Sequence, residues 1–124
     1  MPSSGHQSDP SQPKRFLQPC LLLLIAESPG HGYDLLERLS VFGFERDPGG
    51  LYRTLRAMER EGLAESEWQL SGAGPGRRRY QVTEAGLEQL RSNAEALEEI
   101  RQILASFLER SGTVARRGIV AKAD

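Results

Sequence analysis

The sequence is poor in the residues that build disulfide frameworks, metal sites and nucleophilic catalytic centres. It has one cysteine, Cys20, and two histidines in 124 residues. One cysteine cannot form an internal disulfide, and no cysteine, histidine and carboxylate side chains have metal-ligand spacing. We therefore expect no enzyme, no metal and no cofactor, and a reducing cytoplasm as the compartment.

Long apolar runs are absent as well. The run Leu21–Ala26 has six residues, whereas a membrane span needs ~20. Lys14 and Arg15 precede it, but Gln18 and Pro19 separate them from it, which is untypical of a signal peptide. The net charge is −1, so a nucleic-acid-binding chain of this composition must concentrate its positive charge locally.

Composition separates a folded part from two tails. Residues 1–15 hold three of the seven prolines and no large apolar side chain except Met1. Such a segment cannot bury enough surface to offset its ordering entropy. We expect a disordered tail over residues 1–15 and a flexible tail over residues 111–124.

Three short helices are expected in the first half of the chain. They cover Leu17–Glu27, His31–Val41, which ends at Gly43, and Pro48–Glu61, with Asp47 as the N-cap. The second helix is expected to turn three side chains toward the core: Tyr33, Leu36 and Leu39.

The pattern then changes from helical to alternating. Ala64–Leu70 and Arg77–Val82 each alternate between two faces, as strands with one buried face do. A hairpin centred near Gly74 would place Trp68 opposite Tyr80 on the core face. On the outer face, the same register pairs Gln69 with Arg79 and Glu67 with Gln81.

A long helix, Glu84–Arg110, follows Thr83, which acts as its cap. Three helices, a two-stranded hairpin and a long helix predict a mainly α (α+β) fold. It is a winged helix-turn-helix over residues 16–83, with a two-stranded wing and a C-terminal dimerisation helix over residues 84–110.

The long helix carries an apolar stripe that one small domain cannot cover. Leaving it in water would forgo roughly 1.5–3 kcal/mol for each large side chain. The simplest cover is the same helix of a second copy around a two-fold axis. A helix folded back on its own domain would account only for the first two turns. The residues expected at the dimer interface are Leu90, Leu97, Ile100, Leu104, Phe107 and Leu108.

The third predicted helix has one apolar face and one basic face. Leu51, Leu55 and Met58 recur at helical spacing, and three arginines lie on a broadly opposite face. An α-helix fits the major groove of B-DNA, where arginine can bind guanine or phosphate. The alternative is an ordinary amphipathic helix, since Glu59 and Glu61 dilute the charge. The exposed arginines are Arg53, Arg56 and Arg60.

A second basic cluster, Arg77–Arg79, follows the glycine-rich tip of the hairpin. Such a wing can lie along phosphates or enter the minor groove. The alternative is that Arg77 and Arg79 pair with Glu65 and Glu67, in exposed pairs worth only about 0–1 kcal/mol. Between residues 46 and 80 seven arginines face five carboxylates, whereas residues 84–110 hold six glutamates and three arginines. Positive charge therefore gathers in the predicted wing and third helix.

These motifs, as an ordered set, resemble the PadR family of bacterial transcriptional regulators, which have an N-terminal winged helix and a C-terminal dimerisation helix. The matching segments are Pro29–Leu36, Gly50–Leu55, Glu59–Leu63 and Arg78–Gly86. The resemblance implies that Tyr52 and basic residues of the wing contact the DNA backbone, and that a small effector relieves repression.

A subgroup of poly-β-hydroxybutyrate-responsive repressors is more similar still, through Phe42–Glu45, Tyr52–Arg56, Ser66–Trp68 and Gly74–Gly76. Some drug-binding relatives carry a tryptophan on the dimer helix, whereas Trp68 lies on the hairpin.

We therefore expect a sequence-specific DNA-binding transcriptional regulator, acting as a homodimeric repressor on a pseudo-palindromic double-stranded operator. A small-molecule or polymer effector would release it. The alternatives are a protein-binding winged helix with no DNA role, and a polymer-surface-binding module in which DNA binding is secondary. The residues expected to contact DNA are Tyr52, Arg53, Arg56, Arg60, Arg77, Arg78 and Arg79.

Overall fold

The structure is a computed structural model that describes residues 14–70 and 76–123. It divides into two compact units, the first ending at Leu90 and the second beginning at Arg91. Most of the predicted N-terminal tail and the tip of the predicted hairpin lie outside the described residues.

The described chain is mainly helical, with one small antiparallel sheet, which confirms the predicted fold class. A 3-10 turn, Leu39–Phe42, continues the second helix. The elements are α1 (Lys14–Glu27), β1 (Gly30–His31), α2 (Gly32–Arg38), α3 (Pro48–Arg60), β2 (Ala64–Gln69), β3 (Arg77–Val82) and α4 (Glu84–Ala123).

The sheet has three strands: β2 and β3 form the predicted two-stranded wing, and a short strand, β1, was not predicted. The additional strand, β1, pairs antiparallel with β3 through Gly30 opposite Tyr80 and His31 opposite Arg79. Strand β3 is therefore the central strand, in the order β1-β3-β2. A strand of two residues is too short to show an alternating pattern, so periodicity does not predict β1.

The register of the β2–β3 hairpin differs from the prediction by two residues. Ser66 pairs with Tyr80, and Trp68 pairs with Arg78. A slip of two residues keeps every side chain on its predicted face, so alternation cannot distinguish the two registers. The predicted outer pairs are also wrong. The observed outer pairs are Glu65 with Gln81, Glu67 with Arg79 and Gln69 with Arg77.

The core of the first unit lies between the helices and one end of the sheet. Tyr80 and Ala64 are buried in it, whereas Trp68 is 61% exposed because the far end of the hairpin extends beyond the core. Trp68 is therefore not a core residue, contrary to the prediction. Tyr33 also faces solvent, while Leu36 and Leu39 are buried as predicted. The largest fully buried side chains are Leu21, Leu22, Ile25, Leu35, Leu51, Leu55 and Met58.

Polar caps fix the helix boundaries. An Asp47 carboxylate oxygen accepts a hydrogen bond from the Gly50 N–H at 3.0 Å, which confirms Asp47 as the N-cap of α3. The Thr83 hydroxyl oxygen accepts one from the Gly86 N–H at 3.0 Å and donates to the Gly62 carbonyl at 2.6 Å. Thr83 therefore ties the start of α4 to the turn that ends α3.

Helix α4 extends to Ala123, so the prediction that it ends at Arg110 was wrong. Gly112 and Gly118 favoured an end in this region. An internal glycine costs only about 1 kcal/mol relative to alanine, and two such residues do not end this helix. Among the described helices, none combines the length and apolar character that a membrane crossing needs.

The contact between α4 and the α3–β2 turn generates a test of the fold. A Cβ at Gly86 would clash with the Leu63 carbonyl oxygen and lie 2.6 Å from Val82 Cγ2. Gly86→Ala should therefore lower the free energy of unfolding by about 1–3 kcal/mol. Gly112→Ala is the matched control on the same helix, because its Cβ would meet only ordinary contact. Equal denaturation midpoints for the two variants would contradict this packing.

Candidate nucleic-acid interface

The exposed face of α3 follows from its buried face. Leu51, Leu55 and Met58 are at most 1% exposed, which leaves the three predicted arginines on the solvent side. At about 3.6 residues per turn, Arg53 and Arg60 point away from the buried face. Tyr52, Arg56 and Glu59 lie on the flank between the two faces. The structure therefore exposes all three arginines of α3.

An open groove of about 840 Å³ lies beside this flank of α3. It brings together Tyr52 and Arg56 of α3 with Arg77 and Arg78 of β3, four of the residues expected to contact DNA. The other three, Arg53, Arg60 and Arg79, lie outside its lining. The groove is lined by His31, Gly32, Tyr33, Tyr52, Arg56, Glu59, Trp68, Gly76, Arg77, Arg78 and Tyr80.

Tyr52 packs over the backbone of Gly32 at the start of α2. A Cβ at Gly32 would lie 2.5 Å from both Cε1 and the hydroxyl oxygen of Tyr52. Gly32 is buried, whereas Tyr52 remains 37% exposed. The absent side chain at Gly32 therefore makes room for the tyrosine ring and fixes its place at the edge of the groove.

Among the described residues, Arg77 and Arg79 do not form the ion pairs with Glu65 and Glu67 that were considered as the alternative. In the part of the chain that the structure describes, neither arginine lies within ion-pair distance of a carboxylate. The register places Glu67 opposite Arg79 and Gln69 opposite Arg77. Both guanidinium groups are therefore available to an external anion.

Arg78 is held by neighbouring side chains. Its Nη1 donates to the Ser66 Oγ at 3.0 Å, and that hydroxyl donates to Glu59 Oε2 at 2.7 Å. The Arg78 guanidinium also lies 5.1 Å from the centre of the Trp68 ring, at cation–π distance. Arg78 is thus connected to both β2 and α3.

His31 and Tyr80 form the floor of the groove beside these residues. His31 Nε2 lies 3.0 Å from Gln69 Oε1, and its Nδ1 lies 3.5 Å from Asp34 Oδ2. Burial raises the pKa of the Tyr80 hydroxyl, with the nearby Glu59 carboxylate adding to the effect. The phenol therefore stays neutral at neutral pH.

Seven of the eleven groove residues were not among the predicted DNA contacts: His31, Gly32, Tyr33, Glu59, Trp68, Gly76 and Tyr80. Gly32 and Tyr33 belong to the segment Pro29–Leu36, which carries a family resemblance but no chemistry of its own. Glu59 only dilutes the positive charge in the sequence pattern, and Trp68 is expected in the core. Nothing in the local pattern around Trp68 indicates that the hairpin extends past the core.

Within the described residues, Cys20 does not provide a reactive thiol site, and the metal-ligating residue types do not form a metal site. Burial raises the pKa of the Cys20 thiol to about 12, so the reactive thiolate is scarce at neutral pH. Within residues 14–70 and 76–123, no group of three or more His, Cys, Asp or Glu side chains could hold a metal ion.

The second unit exposes much of the predicted dimer stripe. The five predicted interface residues in this unit are between 38% and 66% exposed, while Leu90, in the first unit, packs partly buried against that unit's core. Leu90 therefore already has a partner in its own chain. The exposed members of the predicted interface are Leu97, Ile100, Leu104, Phe107 and Leu108.

Comparisons with known proteins agree on one family. The model of the transcriptional regulator PadR-like family matches residues 21–92, more than half of the chain. Transcriptional regulator Rv3488 of Mycobacterium tuberculosis is 40% identical over 80 residues, which cover 64% of this chain and 74% of that protein.

Solved structures share the fold. TM0937, a conserved protein of unknown function described as a potential transcriptional factor, is 36% identical with a TM-score of 0.71, covering 82% of this chain and 92% of that one. Bacillus subtilis PadR, solved in complex with operator DNA, is 21% identical with a TM-score of 0.57. That match covers 63% of this chain and 46% of the Bacillus subtilis chain, and the likeness concerns the fold.

Because the Tyr52 ring packs directly on Gly32, the effects of substitutions at the two positions on the free energy of unfolding should be coupled. Gly32→Ala should displace the ring and lower the free energy of unfolding by about 1–3 kcal/mol. In a Tyr52→Ala background the same substitution should cost markedly less, since the ring is gone. Gly30→Ala is the control, because its Cβ would come no closer than 3.4 Å to Arg38 Nη1. Additive effects of the two substitutions in urea denaturation would contradict this contact.

Proposed function

This chain belongs to the PadR-like family of transcriptional regulators, and we propose that it acts as a homodimeric, sequence-specific DNA-binding repressor. The observation that carries the proposal is the groove beside α3. There, Tyr52 and Arg56 of the third helix meet Arg77 and Arg78 of the hairpin. An exposed helix with arginines beside a basic hairpin offers two contact points for a single DNA duplex.

The recognition step follows from where the arginines point. Helix α3 would enter the major groove, with Arg53 and Arg60 directed at base edges, where a guanidinium can bind guanine O6 and N7. Tyr52 and Arg56, on the flank, would contact the phosphate backbone and fix the register of the helix. Arg77 and Arg79 would meet phosphates beside the minor groove.

The fold supports this docking. Bacillus subtilis PadR is solved with operator DNA, so a fold similar to this one is compatible with duplex binding. In this chain the exposed arginines of α3 and the cations Arg77 and Arg79 of β3 are the groups that would supply the contacts.

Dimerisation is the second part of the proposal. Six large apolar side chains of α4, from Leu97 to Leu108, are exposed in the single chain. A second copy around a two-fold axis would cover them and would present two copies of α3 to the DNA. The operator would then be pseudo-palindromic, with half-sites about one helical turn apart or a multiple of it.

The third part of the proposal is that an effector releases the repressor from DNA. The chain would bind DNA in the cytoplasm. The family resemblance supports a small effector, and the poly-β-hydroxybutyrate-responsive assignment stays a prediction. The exposed apolar face of α4 favours one further candidate, binding to a polymer surface through Ile103, Phe107 and Val114. On that hypothesis, substitutions of these three residues would abolish polymer capture and leave DNA affinity unchanged.

DNA binding is tested by selecting duplexes from a random-sequence pool with the full chain. We expect enrichment of an inverted repeat. Arg53→Gln should relax discrimination at one base position by about 1–3 kcal/mol, whereas Arg77→Gln should weaken binding to all duplexes. Arg91→Gln, an exposed arginine of α4, is the control. If no duplex is enriched, or all three variants bind like the wild type, the protein-binding alternative is favoured.

Dimerisation is tested by placing a charge on the apolar face of α4. Leu104→Asp should give a monomer in sedimentation equilibrium with unchanged helical circular dichroism, and should lose tight binding to the inverted repeat. Gln102→Asp places the same charge on the opposite face of the helix and should remain dimeric. A dimeric Leu104→Asp variant would rule out this face as the interface.

A further inference from the structure

We propose that Arg78 is a positioning residue of the surface that binds DNA, and that Glu59, Ser66 and Arg78 form a bridge that fixes the hairpin against α3. This inference rests on the proposed function. It separates Arg78 from Arg77 and Arg79, with which it forms a single basic run in the sequence.

The bridge is one continuous chain of hydrogen bonds across three elements. Ser66 on β2 uses its single hydroxyl proton to donate to Glu59 of α3 at 2.7 Å. The same oxygen accepts a hydrogen bond from Arg78 of β3 at 3.0 Å. A hydroxyl has one donor and two acceptor positions, so Ser66 can hold both partners at once, which a hydrophobic residue at this position cannot do.

The Trp68 ring restrains Arg78 from a second side. Trp68 and Arg78 are directly paired across the β2–β3 ladder, and the guanidinium lies 5.1 Å from the ring centre. Alternation along β3 directs Arg78 to the opposite side of the strand from Arg77 and Arg79. Arg78 remains exposed, but its guanidinium is engaged by Ser66 and Trp68, so an external phosphate has to compete with those contacts.

The bridge also accounts for an acidic residue beside the basic groove. Glu59 lies on the flank of α3 that carries Arg56, where a lone carboxylate would repel a phosphate. Its hydrogen bond from Ser66, whose oxygen in turn accepts one from Arg78, gives that charge a partner inside the chain. Glu59 therefore helps to hold the hairpin in place, and its carboxylate repels a bound phosphate less than an unpartnered carboxylate would.

The consequence for recognition is geometric. The cations of α3 and of β3 can meet phosphates of one duplex only if the hairpin keeps a fixed orientation against the helix. A hairpin that is fixed before binding loses less conformational freedom on binding. Removal of the bridge should then weaken DNA binding while every phosphate keeps its cation.

Tryptophan fluorescence tests the bridge without DNA. Trp68 is the single tryptophan of the sequence, so acrylamide quenching reports on its ring alone. Arg78→Gln, Glu59→Leu and Ser66→Ala should each raise the quenching constant, because each breaks the bridge and frees the ring from the guanidinium. Ser66→Thr keeps the hydroxyl and should have the wild-type quenching constant. The control Arg91→Gln should also leave that constant unchanged. If Arg78→Gln raises quenching while Glu59→Leu and Ser66→Ala do not, no bridge exists.

Salt dependence tests the role in DNA binding, with a duplex enriched from the random pool as the probe. Arg77→Gln should reduce the slope of log affinity against log salt by about 0.9 for each phosphate that it no longer neutralises. Arg78→Gln should weaken affinity by about tenfold, equivalent to about 1.4 kcal/mol, with the slope unchanged. Folded content is checked for each variant by circular dichroism.

Two outcomes overturn the assignment. A slope reduced in Arg78→Gln as much as in Arg77→Gln would show that Arg78 binds a phosphate directly, and an unchanged affinity would remove its positioning role. If the wild-type chain enriches no duplex, the proposed function fails together with that role. The quenching measurements still decide whether the bridge itself exists.

Discussion

The burial of one face of α3 is the constraint on which the rest of the surface depends. Leu51, Leu55 and Met58 are almost completely inaccessible, and each contributes roughly 1.5–3 kcal/mol by leaving water. Rotating the helix to present other residues would forfeit that contribution. Once this face is buried, the helical period determines which side chains face solvent, and the arginines of α3 are among them. The caps at Asp47 and Thr83 fix where this helix begins and how its end is connected.

Side-chain contacts connect the hairpin to the same helix, and both line one groove. Backbone pairing makes β3 the central strand, between β2 and the short β1. Side chains add the contacts from Ser66 to Glu59 and to Arg78. We therefore consider α3 and the hairpin as a single unit for binding. One copy offers only a few cations on this surface, and the proposed second copy would double them.

Periodicity and caps were sufficient to predict most of the fold, because each depends on neighbours in sequence. The buried face of α3, the Asp47 cap and the Thr83 cap were all predicted correctly. Apart from the C-terminal end of α4, what failed depends on distant contacts. Strand β1 exists only because β3 lies beside it, and the hairpin register differs by a slip that preserves both faces. The exposure of Trp68 depends on where the core ends. Of the site, the exposed arginines followed from the sequence, whereas the anchoring of Arg78 required the observed register.

The central claim is that α3 and β3 form one DNA-binding surface. Amide chemical shifts of the ¹⁵N-labelled chain, titrated with a duplex selected by the wild-type protein, test it most directly. The account predicts the largest changes along the exposed face of α3, at Tyr52, Arg53 and Arg56, and at Arg77 and Arg79 of β3 in the same titration. Changes confined to α4, or changes at α3 with none at β3, would contradict it.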